Sequence, residues 1–199
     1  MDTESSTRSG GSEDRARAGS LTRQDWINAA HDVLISEGIE RVKVEPLATR
    51  LNVSRGSFYW HFKSRQDLLD ALVERWQETA LEPMRAAASD PQLGPVERYE
   101  KFMRVWVQGE PYCPNFDLAI RRWALVDEKV QEIVRATDKS RIKMLTGIFR
   151  EMGYDRDEAL VRARIAYYHQ IGYYTINEQD PPNKRKQYWP LYLKILTGQ

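Results

Sequence analysis

The stretch Lys43 to Phe62, KVEPLATRLNVSRGSFYWHF, constrains the fold more than any other part of the chain. Val44, Leu47, Ala48 and Leu51 recur at i, i+3, i+4 and i+7, which places them on one stripe of a two-turn helix. Asn52 suits a left-handed turn and Ser54 an N-cap, so the pattern predicts a second short helix beginning at Arg55. Val53 and Phe58 would then take the N′ and N4 positions of a hydrophobic staple. Two short helices joined at an angle by such a turn form a helix-turn-helix.

With Phe58 and Phe62 turned inward, Gly56, Ser57, Tyr59 and Trp60 are expected to face outward, with Arg55 and His61 on the flanks. An outward Tyr-Trp pair calls for a partner, since large apolar groups are otherwise buried. Gly56 costs about 1 kcal/mol against alanine inside a helix. Facing outward, it lets the backbone come close to another molecule. Between residues 41 and 65, Arg41, Lys43, Arg50, Arg55, Lys63 and Arg65 face Glu45 alone, a local balance of +5 on a chain whose net charge is +1. A compact basic helix pair on a near-neutral protein is the electrostatic footprint of a nucleic-acid-binding surface.

The run LATRLNVSRGSFYWHFKSRQDLLDAL closely resembles the DNA-binding signature of TetR-type transcriptional repressors. In that signature a YxHF-like core is followed by a lysine, a short polar turn and a Leu-rich helix, and the resemblance extends over about Leu21 to Trp76. It implies an all-α, homodimeric, ligand-responsive repressor that binds a palindromic operator in double-stranded DNA; we expect no cofactor, and a small apolar molecule in the C-terminal domain as the effector. By position it would set Arg55, Ser57, Tyr59, Trp60 and His61 against DNA, with Gly56 among them, and Lys63 and Arg65 at phosphates. Lys43 departs from the family's usual threonine, which caps the first helix of the motif and touches phosphate. Lysine keeps a phosphate contact within reach but supplies no such cap.

The remaining punctuation predicts about nine helices and no strand. Residues 1–20 are rich in Gly, Ser, Arg and acid and read as a disordered tail. Leu21, Thr22, Asp25 and Trp26 form a capping box and staple for a helix that Gly38 ends, and Thr22 at its N-terminus is a secondary phosphate candidate. His31 falls on the inward side of that helix as a packing residue. Ser64 and Asp67 begin the helix that leads out of the motif, and Pro83, Pro91, Gly94 and Pro95 interrupt the pattern beyond it. We therefore expect a three-helix DNA-binding domain over 21–80 and a helical ligand-binding and dimerisation domain over 81–199. Further helices are expected over about 96–108, 115–125, 127–152, 155–177 and from 183 onward.

The predicted helix from Asp155 is apolar over more than one face, which implies burial on more than one side. A partner subunit is the expected second cover, with Ala163, Tyr167, Tyr174, Tyr188 and Tyr192 in a four-helix interface. Trp106, Tyr112, Phe116, Trp123, Met144, Tyr168 and His169, together with Phe149 and Tyr173, are candidates to line an apolar effector cavity. At helical spacing the same residues also suit plain core packing.

Other chemistry lacks support in the sequence. His31, His61 and His169 are the only histidines and none stands at metal-ligand spacing, so no metal is expected. There is no phosphate-binding glycine loop. Cys113, the only cysteine, excludes an intrachain disulfide and suits a reducing cytoplasm. An enzyme pairing Cys113 with His169 would need a supporting signature that the chain does not carry. An activator, or a regulator answering to a protein partner, remains compatible with the same DNA-binding motif. No apolar run is long enough to span a bilayer.

Overall fold

The computed structural model describes residues 21–108, 112–176 and 181–198, and the expected tail over 1–20 lies outside them. Among the described residues there are nine α-helices and no strand. The chain divides into two compact units, Met1–Arg75 and Trp76–Gln199.

The first unit contains α1 (Arg23–Glu37), a 3₁₀ turn (Ile39–Arg41), α2 (Val44–Arg50), α3 (Arg55–Phe58) and the start of α4 (Arg65–Ala88). Thr22 and Asp25 form the expected box: Asp25 N–H donates to Thr22 Oγ1 at 3.3 Å, and Thr22 N–H to Asp25 Oδ2 at 2.7 Å. Gly38 ends α1 at φ +88°, a region that penalises any side chain. Its core packs Trp26 edge-on to Phe58 at 5.2 Å, with Phe58 stacked on Phe62 at 5.3 Å. Leu47, Ala48, Leu68, Leu69 and Leu72 complete it, all fully or nearly buried.

Helix α4 runs unbroken through Pro83, where the sequence predicts an interruption. Proline removes one helical N–H and crowds the preceding turn. Burial of Trp76, Ala80, Met84 and Ala87 on one face holds the helix together across that defect.

The second unit adds α5 (Pro95–Gln108), α6 (Pro114–Ala124), α7 (Glu128–Glu151), α8 (Arg156–Thr175) and α9 (Pro182–Thr197). Asp127 and Asp155 cap α7 and α8 as the sequence predicts, the first accepting from Val130 N–H and the second from Asp157 and Glu158 N–H. Its core joins Tyr99, Phe102, Trp106, Tyr112, Phe149 and Tyr167.

Beside that core lies a buried charge network. Asp117 accepts from Trp76 Nε1 at 3.0 Å and pairs with Arg121 at 2.7 Å and Arg141 at 3.1 Å. Arg121 also grips Asp138 at 2.7 Å, while Tyr167 donates to Asp138 at 2.6 Å. Arg141, 0% exposed, donates to the Ala80 carbonyl at 3.4 Å. Together these bonds tie α6, α7 and α8 to the second half of α4.

Two expectations for this unit need correction. Ala163, Tyr167 and Tyr174 are buried within their own subunit rather than offered to a partner. Ala163 is small enough for close helix packing, Tyr167 satisfies its hydroxyl in the charge network, and Tyr174 donates to the Trp106 carbonyl. The apolar surface left open is instead Val161, Ile165 and Tyr168 on α8 and Leu191 and Ile195 on α9, each more than half exposed. Tyr188 is exposed beside them and Tyr192 is half-buried.

The effector candidates do not line one cavity either. Trp106, Tyr112, Phe116 and Trp123 are packed as core, and Met144 is half-buried. Trp106 meets Tyr112 edge-on at 6.4 Å, which closes the space between them. His169 stacks obliquely on Tyr192 at 5.1 Å, and Tyr168 stands on the surface. Burial, then the charge of Arg185, lowers the His169 pKa and favours the neutral ring.

Candidate nucleic-acid interface

The turn of the motif forms as the residues dictate. Asn52 has φ +55°, the left-handed conformation that asparagine tolerates better than most side chains. Val53 N–H donates back to the Ala48 carbonyl at 3.0 Å, which closes α2 and aims the chain into α3. Ser54 does not cap α3 with its side chain. The backbone does it, with Ser57 N–H on the Ser54 carbonyl at 3.0 Å.

Helix α3 is shorter than the expected Arg55-to-Phe62 segment. Beyond Phe58 the chain tightens into turns in which Tyr59, Trp60 and His61 N–H groups bond three residues back. Phe58 and Phe62 are pulled into the core, and the residues between them are thrown outward. Trp60 is 85% exposed and Tyr59 51%, although both are large apolar residues. Gly56 is exposed as well, and a Cβ built there would meet only Ser54 Oγ, at an ordinary 3.6 Å. Gly56 is therefore not required by the packing of this unit.

Of the expected contact residues, Ser57 belongs to the interior and Arg65 is half-buried. Ser57 is 2% exposed. Arg65 donates through Nε to the Val42 carbonyl at 2.6 Å and through Nη2 to the Ile39 carbonyl at 3.1 Å. Those bonds satisfy carbonyls around the 3₁₀ turn, so Nε and Nη2 brace the fold while Nη1 takes no part in them. His61 is half-buried, and its Nε2 has no hydrogen-bond partner among the described residues.

The remaining cations are exposed. Lys43, Arg50 and Lys63 have no ion-pair partner among the described residues. Arg55 pairs with Glu45 at 3.1 Å and donates to Tyr59 Oη at 3.2 Å, an exposed and weakly held arrangement. It presents the guanidinium beside the Tyr59 ring and leaves it open to exchange partners. Lys43 stands at the N-cap of α2 without a side-chain cap bond. Thr22 is committed to Asp25 by both its amide and its hydroxyl, and the Thr22 backbone N–H, then that hydroxyl, hold the Asp25 carboxyl below its usual range. A carboxylate at this helix start competes with any phosphate there.

Lys63 N–H donates to Asp67 Oδ2 at 3.0 Å, and Asp67 N–H to Ser64 Oγ at 3.2 Å. The predicted box at the start of α4 is thus displaced by one residue on its acid side. It fixes the backbone at Lys63 while the ammonium remains exposed.

A helix-turn-helix with an exposed aromatic pair, an open glycine and exposed cations around them has the make-up of a nucleic-acid-binding surface. Residues 27–72 match the model of bacterial regulatory proteins of the tetR family. A probable HTH-type transcriptional regulator, ArpR, from Pseudomonas putida is 32% identical over 82 residues, 41% of this chain and 39% of its own length. The class C tetracycline repressor protein from Escherichia coli is 43% identical over 54 residues, 27% of this chain and 25% of that one. A TetR-family transcriptional regulator from Streptomyces coelicolor superposes with a TM-score of 0.69 at 18% identity, covering 94% of this chain and 95% of that structure, a likeness of fold. Residues 27–72 thus carry the N-terminal domain of the tetR family, and the whole chain shares the fold of TetR-family structures. The chain spans about two fifths of the length of ArpR and a quarter of that of the class C tetracycline repressor protein.

Proposed function

We propose that the protein is a ligand-responsive transcriptional repressor, acting in the cytoplasm as a homodimer on a palindromic operator. The exposed surface of Gly56, Tyr59 and Trp60, ringed by Lys43, Arg50, Arg55 and Lys63, carries the reading. Arg55 reads guanine through O6 and N7, Trp60 meets a thymine methyl or base edge, and Tyr59, His61, Lys43 and Lys63 hold phosphates. Two such heads enter successive major grooves about 34 Å apart. An effector in the C-terminal domain releases DNA by favouring a state in which the heads no longer fit that separation. No metal or cofactor enters this scheme and no catalysis is assigned to it. Among the described residues no helix is long and apolar enough to cross a membrane, and no group of His, Cys, Asp and Glu is placed to hold a metal ion.

Selection of bound DNA from a random library by the full-length protein tests the reading. An enriched palindrome with half-sites about one helical turn apart supports it. Absence of any enriched sequence at moderate salt overturns it.

Gly56→Ala separates recognition from folding. The added methyl has room, and alanine is the better helix former by up to about 1 kcal/mol. The melting temperature is therefore expected to hold or rise while operator affinity in a binding titration falls. A variant that binds as tightly as the parent would remove Gly56 from the interface.

Dimerisation is assigned to the open apolar stripes, at i, i+4 and i+7 for Val161, Ile165 and Tyr168 and at i, i+3 and i+7 for Tyr188, Leu191 and Ile195. Leu191→Glu puts a charge into that surface. Sedimentation is expected to show a monomer, with operator affinity at least about tenfold lower because the two heads no longer bind together. A dimer that persists unchanged would move the interface elsewhere.

A further inference from the structure

We infer that the open groove between α7 and α8 binds an amphipathic organic anion: a small molecule with an aromatic or aliphatic body and an anionic headgroup. The inference rests on the reading of the chain as a ligand-responsive regulator, and it names a site and a ligand chemistry for that response. The groove holds about 740 Å³, ample for such a molecule. Ile142, Leu160 and Tyr167 give it an apolar floor.

Its rim is basic. Arg135, Lys139 and Lys143 follow one another at i+4 along α7, and Arg164 adds a fourth cation from α8. Like charges at this spacing destabilise a helix. None of the four has an ion-pair partner among the described residues. Asp138, the one acid of the lining, is already held by Arg121 and Tyr167. A rim of this kind repels itself when empty and is relieved when an anion enters.

Two further features favour a small anion over protein. Gly147 lies in the lining near the C-terminal end of α7, and a Cβ built there meets no atom within 4 Å. A residue of low helix propensity therefore keeps the groove open. A second copy of the chain presenting α9 would bring Lys184, Arg185, Lys186 and Lys194 with no acid on that helix, so charge opposes it. The floor also shares Tyr167 and Asp138 with the buried network that grips Trp76 and the Ala80 carbonyl on α4. An occupant that shifts either residue acts on the helix that begins just after the DNA-binding head.

The test uses the full-length protein with 8-anilinonaphthalene-1-sulfonate, a fluorescent anion with a flat aromatic body. N-phenyl-1-naphthylamine, the same body without the sulfonate, is the neutral control. One saturable anion site per chain is expected, with the neutral dye at least about tenfold weaker. The double substitution K139E/R164E is expected to weaken the anion by at least about tenfold and the neutral dye by less than about twofold. Gly147→Leu sets the bulky side chain of a good helix former into the groove, and binding of the anion is expected to weaken at an unchanged or higher melting temperature.

Equal affinity for both dyes overturns the proposal, as does anion binding that survives both K139E/R164E and Gly147→Leu. A change of oligomeric state in these variants without a change in dye binding also overturns it, and makes the groove an interface between copies. Library selection on the same protein separates the two readings. Selective DNA binding without the dye site overturns the groove and keeps the regulator, whereas a dye site on a protein that selects no DNA keeps the groove and overturns the regulator.

Discussion

Asp117→Ala is expected to destabilise the C-terminal unit by about 3–5 kcal/mol, the usual cost of leaving one half of a buried ion pair without its partner. Arg141 is fully buried and would face an empty site, and Trp76 Nε1 would lose its acceptor. Arg121 would keep Asp138, so the loss falls mainly on Arg141 and on the anchorage of α4. Replacing the pair by apolar residues, D117L/R141M, is expected to recover at least about 1 kcal/mol of that loss, since no uncompensated charge remains. Urea denaturation of the three proteins measures both quantities. An Asp117→Ala variant within about 1 kcal/mol of the parent would show that the network does not hold this unit together.

The same pair sets an acid limb. Burial alone would raise the Asp117 carboxyl, but Arg141 and Arg121 outweigh it and hold the group below its ordinary 3.8. A carboxyl whose pKa is lower folded than unfolded stabilises the fold fully above the unfolded value. That contribution is lost as pH falls below 3.8 through the lowered folded pKa. Stability attributable to Asp117 should therefore be flat from pH 5 to 8 and fall on the acid side, and Asp117→Ala should show a shallower acid limb.

Local signals made the DNA-binding head legible in the sequence. The Asn52 turn, the Thr22–Asp25 box and the inward pair Phe58 and Phe62 are all written within a few residues of where they act. Errors arose where a distant partner decides. Arg65 reads as a phosphate ligand alone, whereas Val42 and Ile39, more than twenty residues earlier, engage its Nε and Nη2. Ser57 reads as exposed beside Gly56 and Tyr59, but it is buried within α3 next to Phe58.

The C-terminal unit was less legible for the same reason. Asp117 and Arg121 stand at i, i+4 like any surface pair, and only their convergence with Arg141, Asp138 and Tyr167 from two other helices makes them interior. Helix α8 carries apolar residues around most of its circumference, so periodicity alone could not divide them between core and surface. Ala163, Tyr167 and Tyr174 went to the core, and Val161, Ile165 and Tyr168 remained outside.

Arg55→Ala and Lys63→Ala should divide the DNA interaction into its two kinds of contact. Arg55 lies beside Tyr59 with only an exposed Glu45 to hold it, so exchanging that carboxylate for a guanine edge costs little order. Its removal is expected to weaken the selected operator by roughly tenfold to a hundredfold, to weaken unrelated DNA far less, and to relax preference at one base pair of each half-site. Lys63 is fixed in backbone by Asp67 while its ammonium is exposed, an arrangement for a phosphate and not for a base. Its removal should weaken all sequences alike and lower the slope of log affinity against log salt by about 1 per head. Titrations of operator and scrambled duplex at several salt concentrations give both quantities. If the two variants lose affinity equally on both duplexes, Arg55 is another phosphate ligand, and sequence must be read by the surface that Gly56, Tyr59 and Trp60 leave exposed.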